Sequence, residues 1–360
     1  MSEAAGPTPA KGAGSARGTG LVRAAVIGCG DISSVHLAAI GAMPDAVLVA
    51  VCDTDPDRLS AAETALGVAG FADHRELLAS VRPDVVHICT PHNTHVQIAL
   101  DALAAGIDVI LEKPLAHTRR DGQRLVEAAS GSDARIAVCF QNRYNAPVQA
   151  AHELVRSGDL GTVLGASATV FWHRDAGYYE DRPWRGRWQT GGGGLLMNQA
   201  IHTIDLVQWL VGDVASTRGG IATRLLADAI DVEDTADLVM QHENGATSTL
   251  FATLSNAVNA PVTLDIVTEK ATLALRGDLT VRYADGRVER VAERQLAPGA
   301  RAYWGVSHEL LIGDFYAGVG GGEPFWIDAR AAQKSLEIIQ DVYDQAYPKR
   351  PVGEPEFTFR

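Results

Sequence analysis

Two side chains are best placed to do chemistry: a lysine ahead of a proline and a histidine on a helix behind four glycines. The lysine is Lys113 in EKPLA (112–116). A following proline confines the lysine backbone to extended geometry, so the ammonium is directed into a cleft rather than left wandering on a surface helix. The histidine is His202 in GGGGLLMNQAIHTIDLVQWLVG (191–212). Written as one helix, Ile201, Ile204, Val207, Leu210 and Val211 form an apolar face, while Asn198, His202, Asp205 and Trp209 share a polar stripe. Such a pair suits the oxidation of an alcohol. Imidazole accepts the hydroxyl proton near neutral pH as hydride leaves the carbon, and the ammonium stabilises the developing alkoxide. The plainer reading is an exposed lysine at a strand end and a His202–Asp205 pair that satisfies itself. The glycines (191–194) predict a very close backbone approach to cofactor or substrate.

Hydride needs an acceptor, and the first half of the chain supplies a candidate site for one. In VIGCGDIS (26–33), Gly28 and Gly30 stand between an apolar strand and a helical pattern, so the backbone can turn sharply and approach a pyrophosphate. That group would rest on the helix N-terminus at Asp31 and Ile32. Ser33 replaces the third glycine of the usual fingerprint and is small enough for helix–strand packing. Asp53 closes the next strand, where a carboxylate accepts hydrogen bonds from ribose hydroxyls. A carboxylate there also repels a 2′-phosphate, so NAD is expected over NADP; nearby Arg58 keeps NADP as the alternative. Two further segments sit at carboxyl ends of strands, where open α/β sheets bind ligands. CTPHNTH (89–95) offers Thr90, Pro91, His92, Asn93 and His95, with Thr94 as a helix cap, and EKPLA offers Glu112 and Lys113. Gln141 follows the next strand in the same position.

A substrate wall is expected from WHRDAGYYEDRPWRGRW (172–188), which gathers three of the six Trp, two of the eight Tyr and four Arg. Aromatic faces stack on sugar rings, and arginine forks bind carboxylates or phosphates. Trp172, Arg174, Tyr178 and Trp184 are the candidates, with Asn198 from the helix; a loop packed on its own aromatics is the competing reading. Tyr303, Trp304 and His308 are placed to complete the pocket or the core.

The elements that must hold these residues alternate strictly up to about residue 143. Apolar runs 24–27, 47–52, 84–89, 107–112 and 135–140 are separated by helical patterns at 32–43, 56–66, 94–105 and 119–129, which predicts five or six parallel strands. After Tyr144 the rhythm changes. A helix at 147–156 precedes strand-like runs at 164–172, 217–226, 235–241, 246–254, 262–268, 271–275 and 279–283, interrupted by helices at 195–211, 308–318 and 328–347. The expected organisation is a tail (1–20), an α/β Rossmann domain with a doubly wound parallel sheet (21–143), an α+β domain (144–348) and a short tail (349–360).

Composition narrows the function classes. The chain has 360 residues, 46% hydrophobic and 21% charged, which suits about two globular domains. Its 31 Lys and Arg against 44 Asp and Glu give a net charge of −13, which repels nucleic-acid backbones and anionic membranes. No apolar run approaches the ~18 residues of a membrane span, and residues 1–20 lack the core of a signal peptide. Cys29, Cys52, Cys89 and Cys139 fall in or after apolar runs without a C-x-x-C pair, as reduced thiols of a cytoplasmic protein would. Neither a zinc spacing nor a G-x-S-x-G elbow is present. Of the 36 Gly, only the clusters at 28–30 and 191–194 sit beside candidate chemistry.

Taken together, VIGCGDIS with His36, Asp53, CTPHNTH, EKPLA, the glycine run with NQAIHTID, and the closing HELLIGDFYAG and AQKSLEIIQDVYDQA resemble the glucose–fructose oxidoreductase, inositol dehydrogenase and rhizopine-catabolism (Gfo/Idh/MocA) family over residues 22–348. The resemblance implies a Rossmann domain followed by a domain with a large, mostly antiparallel open sheet. It implies NAD(P)-dependent chemistry on a hydroxyl of a sugar, sugar derivative or cyclitol, and homodimers or homotetramers built through those sheets. Lys113 and His202 match the family's catalytic lysine and histidine, and Asp205 matches an acid near the substrate. Asn198 departs from the pattern, standing where many relatives carry an Asp beside the histidine. An amide cannot stabilise an imidazolium as a charge does. The expected function is an NAD-dependent oxidoreductase of a secondary hydroxyl, with His202 as acid/base and Lys113 polarising the oxygen. The alternatives are a nucleotide-sugar dehydrogenase, redox-neutral glycoside chemistry with recycled NAD, and a non-catalytic NAD-binding sensor.

Overall fold

The computed structural model describes residues 20–294, 307–321 and 323–351. Strands and helices alternate through the first unit: β1 (Val22–Ile27), α1 (Ser33–Ala42), β2 (Ala46–Cys52), α2 (Pro56–Leu66), β3 (Ala69–Phe71), α3 (His74–Val81), β4 (Val85–Ile88), α4 (His95–Ala104), β5 (Asp108–Leu111), α5 (Arg119–Ser130) and β6 (Ile136–Val138). Local signals set these limits. Asp55 caps α2 by accepting from the backbone N–H groups of Asp57 and Arg58, Pro56 opens it, and Gly67 at φ 66° closes it. The six strands are parallel in the order β3-β2-β1-β4-β5-β6. Helices cover both faces of such a sheet, so its central strands Val85–Ile88 and Asp108–Leu111 are buried end to end, His87 and Asp108 included. The order reverses at β1 and opens a crevice between the carboxyl ends of β1 and β4. β3 and α3 fall outside the elements the sequence pattern predicts, because a three-residue edge strand and an eight-residue helix are too short for periodicity to register.

The second unit runs α6 (Ala146–Arg156), β7 (Val163–Phe171), α7 (Ala176–Glu180), α8 (Trp188–Gly191), α9 (Ile201–Val211), β8 (Val214–Ala222), β9 (Thr235–His242), β10 (Thr247–Thr253), β11 (Thr263–Thr268), β12 (Ala271–Arg276), β13 (Asp278–Tyr283) and β14 (Val288–Val291). Its eight strands form one open sheet, β14-β13-β12-β11-β7-β10-β9-β8, antiparallel except for β7 beside β10. Burial alternates along the strands, as in Thr247–Thr253, because α6, α9 and a C-terminal helix cover one face only. The other face presents Leu164, Phe251 and Val267 to solvent.

Two last helices, α10 (His308–Ala317) and α11 (Ala329–Ala346), return to the first unit. α10 packs on α1, and α11 packs on α5 as well as on β8 and α9. Val138 donates its N–H to the Ile327 carbonyl at 2.9 Å, which adds the returning chain to the end of the parallel sheet.

The helix expected over 195–211 is divided. Leu196–Ala200 forms a π turn and only Ile201–Val211 is α-helical. Such a turn inserts an extra residue and rotates what precedes it, so Asn198 and Gln199 both face one side.

Candidate active site

The crevice deepens into a continuous cleft of about 490 Å³, lined by the first strand ends, the 172–185 segment and the π turn. At its floor, Gly28 has φ 95°, and a Cβ there would lie 2.6 Å from the Cys89 carbonyl oxygen, so only glycine lets the turn cross β4. A Cβ on Gly30 would meet no protein atom within 4 Å. That open space before α1 is a cradle of the kind a pyrophosphate fills. Asp53 accepts from Cys29 N–H at 2.7 Å and from Asp55 N–H at 2.9 Å, which ties the turn to the end of β2. Arg58 is paired with Asp55 at 3.5 Å. The donor set fits NAD: backbone N–H groups for phosphates, a carboxylate at the ribose end and, among the described residues, no arginine standing free beside it.

Gly28, Gly30, Asp31, Ile32, Asp53, Thr90, Pro91, His92, Glu112, Lys113 and Gln141 all line the cleft, as do Trp172, Arg174, Tyr178, Trp184, Asn198 and His202. Three expected residues do not. Asn93 is outside the lining. His95 is fully buried with its ring nitrogens 2.8 Å and 2.9 Å from the carbonyl oxygens of Pro114 and Thr90, so it braces the EKP turn from behind. Asp205 is turned away, bound by Arg143 at 2.8 Å and 2.6 Å and by the Ser335 hydroxyl at 3.0 Å; a buried guanidinium claims the carboxylate before a substrate could. The polar stripe therefore divides: Asn198 and His202 face the cleft, Asp205 pairs inside, and Trp209 stacks on His152. Thr94 does not cap α4; its hydroxyl donates to the Pro91 carbonyl at 2.7 Å.

The glycine run approaches protein rather than ligand. Side chains at Gly192, Gly193 and Gly194 would collide with His117, Tyr343 and the Glu233 carbonyl oxygen respectively, and φ is 75° at Gly192 and 155° at Gly193. This crossing lets the Glu233 carboxylate accept from Gly194 N–H at 2.9 Å, Leu196 N–H at 2.8 Å and the Tyr343 hydroxyl at 2.7 Å. A residue far along the chain thus satisfies the orphan donors of the turn that carries the site.

Lys113 and His202 meet in the cleft from different units. The Lys113 ammonium donates to the Asn198 carbonyl at 3.0 Å and to its Oδ1 at 3.5 Å; the Lys113–Pro114 peptide is cis. Asn198 thus serves the lysine rather than the histidine. Burial pushes the Lys113 pKa down, and the neighbouring Glu112 charge opposes that. His202 stands edge-on to Phe140, and its Nδ1 has no partner. Burial, reinforced by the Lys113 charge, lowers its pKa to about 3, so the imidazole is neutral and able to accept a proton. Gln199, which no spacing in the sequence singles out, also lines the cleft; its buried Oε1 has no partner, and its amide donates to the Tyr178 hydroxyl at 3.3 Å. Asn198 reaches the same tyrosine hydroxyl at 3.4 Å.

Behind Lys113 lies a buried polar chain. Glu112 Oε1 accepts from Nε2 of His36 at 3.1 Å and of His308 at 3.2 Å. His36 and His87 meet through their Nδ1 atoms at 2.8 Å, and His87 Nε2 accepts from the Tyr316 hydroxyl at 2.8 Å. Burial alone would raise the Glu112 carboxyl; these hydrogen bonds reverse that and hold it well below the usual range. His36, Glu112 and Cys139 offer ligand atoms within 4.8 Å of one another, although His36 and Glu112 already spend theirs on each other.

The 172–188 segment is latched to the glycine turn. Asp31 pairs with Arg182 at 2.9 Å and Arg185 at 3.4 Å, and Trp184 packs edge-on to His92, whose Nδ1 donates to the Gly191 carbonyl at 2.8 Å. Of the three further pocket candidates, His308 lines the cleft, and Tyr303 and Trp304 lie outside the described residues.

Both units have counterparts among known proteins. Residues 22–140 match the Gfo/Idh/MocA oxidoreductase family, NAD-binding Rossmann fold, and residues 148–274 match the Gfo/Idh/MocA C-terminal domain. The chain is 28% identical to D-apiose dehydrogenase of Paraburkholderia graminis over 92% of its own length and 89% of the relative's. It is 29% identical to inositol 2-dehydrogenase 2 of Saccharopolyspora erythraea over 76% and 79%. Among solved structures, the WlbA dehydrogenase of Bordetella pertussis in complex with NADH and UDP-GlcNAcA is 32% identical, covers 91% of this chain and 96% of that one, and superposes with a TM-score of 0.78.

Proposed function

The chain belongs to the Gfo/Idh/MocA oxidoreductase family, and within it we propose that this NAD-dependent sugar oxidoreductase acts on a secondary hydroxyl of a sugar, sugar derivative or cyclitol, with His202 as acid/base and Lys113 polarising the oxygen. NAD, when bound, takes the hydride. The protein's part is to hold the hydroxyl and move its proton. The observation that carries the reading is the Lys113 ammonium held 3.0 Å from the Asn198 carbonyl, on the turn that leads into His202. The ammonium donates toward the substrate oxygen as charge develops on it, and neutral Nδ1 or Nε2 of His202 takes the proton. Because burial and the Lys113 charge disfavour a charged His202, the imidazolium formed in the oxidation is disposed to pass its proton on.

The test uses Lys113→Ala and His202→Ala with a turned-over sugar or cyclitol, reading NADH absorbance. Each variant is expected to lose turnover by about 10²-fold or more while binding NAD. Full turnover in both would refute the assignment.

The exposed Leu164, Phe251 and Val267 on the free face of the eight-stranded sheet support a homo-oligomer built through that sheet, measurable by light scattering of the full chain. The four unpaired cysteines support a reducing, cytoplasmic setting. No helix among the described residues is long and apolar enough to cross a membrane.

A further inference from the structure

Arg174 is a cation of the cleft without a counter-charge. Arg182 and Arg185 face Asp31, and Arg58 faces Asp55. No carboxylate of the described residues comes within ion-pair distance of Arg174. Its Nη1 donates to neutral acceptors, the His173 carbonyl at 2.6 Å and Asn259 Oδ1 at 3.1 Å, and its Nε is buried without a partner. The guanidinium stands over the rings of Trp172, 5.4 Å to the centroid, and Tyr178, 5.1 Å. Asn259 also accepts from His173 N–H at 3.0 Å, so one amide fixes both the strand end and the fork.

A guanidinium that lines the cleft and meets only neutral acceptors keeps its charge for an anionic ligand. A fork held between rings and an amide is preorganised for parallel hydrogen bonds to a planar oxyanion, which an ammonium cannot match. Its position is that of a substrate group. Tyr178, under the guanidinium, reaches Asn198 and Gln199 with its hydroxyl, and Asn198 holds Lys113. The cation therefore stands one tyrosine side chain from the groups that would handle the reacting hydroxyl, on a segment of the second unit rather than beside the glycine turn or Asp53.

We propose that the substrate is a sugar carrying an oxyanion, a carboxylate or a phosphate, and that Arg174 is the residue that selects it. The inference rests on the sugar-oxidoreductase reading and narrows its substrate class.

The test titrates the NADH-loaded protein calorimetrically with matched pairs: D-glucuronate against D-glucose, D-galacturonate against D-galactose, D-glucose 6-phosphate against D-glucose, and UDP-glucuronate against UDP-glucose. The carboxylate and phosphate arms distinguish the two sources of the anion. At least one anionic member is expected to bind about 10- to 100-fold more tightly than its partner, the effect of one charge-assisted hydrogen bond. The same ratio is expected in kcat/KM with NAD. Arg174→Gln should collapse that ratio, and Arg174→Lys, which keeps the charge without the fork, should retain part of it. The proposal is overturned if no pair favours the anion, if the ratio survives in Arg174→Gln, or if that variant weakens NADH binding by the same factor. Binding is read without turnover, so a panel that binds selectively and never reduces NAD counts against the oxidoreductase reading alone.

Discussion

Arg143 donates two parallel hydrogen bonds to Asp205, Nε to Oδ2 at 2.8 Å and Nη2 to Oδ1 at 2.6 Å, and the two side chains are 2% and 1% exposed. The pair joins the turn after β6 to α9, and the Ser335 hydroxyl extends it to α11. It therefore fixes the helix that carries His202 against both the first unit and the C-terminal return. Removing one partner leaves a buried charge uncompensated, whereas replacing both with apolar groups of similar volume removes the need for a partner. Asp205→Ala is expected to lose about 3–5 kcal/mol of stability in urea denaturation, and Arg143→Met with Asp205→Leu to recover much of it. A small loss in the single variant would return Asp205 to the list of substrate-facing groups.

Gly194 packs where a Cβ would strike the Glu233 carbonyl oxygen, and its N–H binds the Glu233 carboxylate. Gly194→Ala must push apart the two segments whose contact secures the π turn. The expected result is a fall in melting temperature together with loss of turnover, because Asn198 and Lys113 are displaced with it. An alanine variant of ordinary stability with impaired NAD binding alone would instead mean that the glycine run serves the cofactor.

What the sequence revealed of this site was what lies close together in the chain. Gly28, Gly30 and Asp53 were legible because a turn, a helix start and a strand end fall within one βαβ unit, and Lys113 because proline sits next to it. His202 was legible through its helical stripe, yet Asp205, which the resemblance sets near the substrate, turns away from the cleft, since its partner Arg143 lies 62 residues away and leaves no local mark. The same holds for Glu233, 39 residues from the Gly194 it binds, and for His95, whose partners are backbone carbonyls. The π turn escaped because one inserted residue hardly alters an apolar run, although it is what brings Asn198 and Gln199 to the cleft side by side.

Asp53 couples cofactor choice to the shape of the glycine turn, since its Oδ2 accepts from Cys29 N–H at 2.7 Å. Asp53→Ser removes the carboxylate that repels a 2′-phosphate and shortens the reach to Cys29. Dissociation constants from fluorescence titration should show NADH weakening by about 10-fold or more, the scale of a lost hydrogen bond to a charged group, with NADPH strengthening. Unchanged preference between the two would place the discriminating group elsewhere, with Arg58 the next candidate.

Histidine burial makes the fold acid-sensitive. His36, His87, His92 and His95 are each at most 3% exposed, and burial lowers the pKa of every one from its ordinary value near 6.5, with hydrogen bonds and nearby charges modifying the extent. The folded state keeps these rings neutral while the unfolded chain protonates below about 6.5, so the unfolded state binds more protons and stability rises with pH across that window. The contribution is complete above the unfolded value and is lost as pH falls toward each folded value. Each ring adds a slope of at most ~1.4 kcal/mol per pH unit. His202, lowered to about 3, acts in the same direction over the same range. Urea midpoints should therefore hold steady from pH 8 to 7 and fall steeply between pH 6.5 and 5, before the carboxylates titrate. A midpoint that stays level to pH 5 would mean that these rings take up their protons within the folded protein.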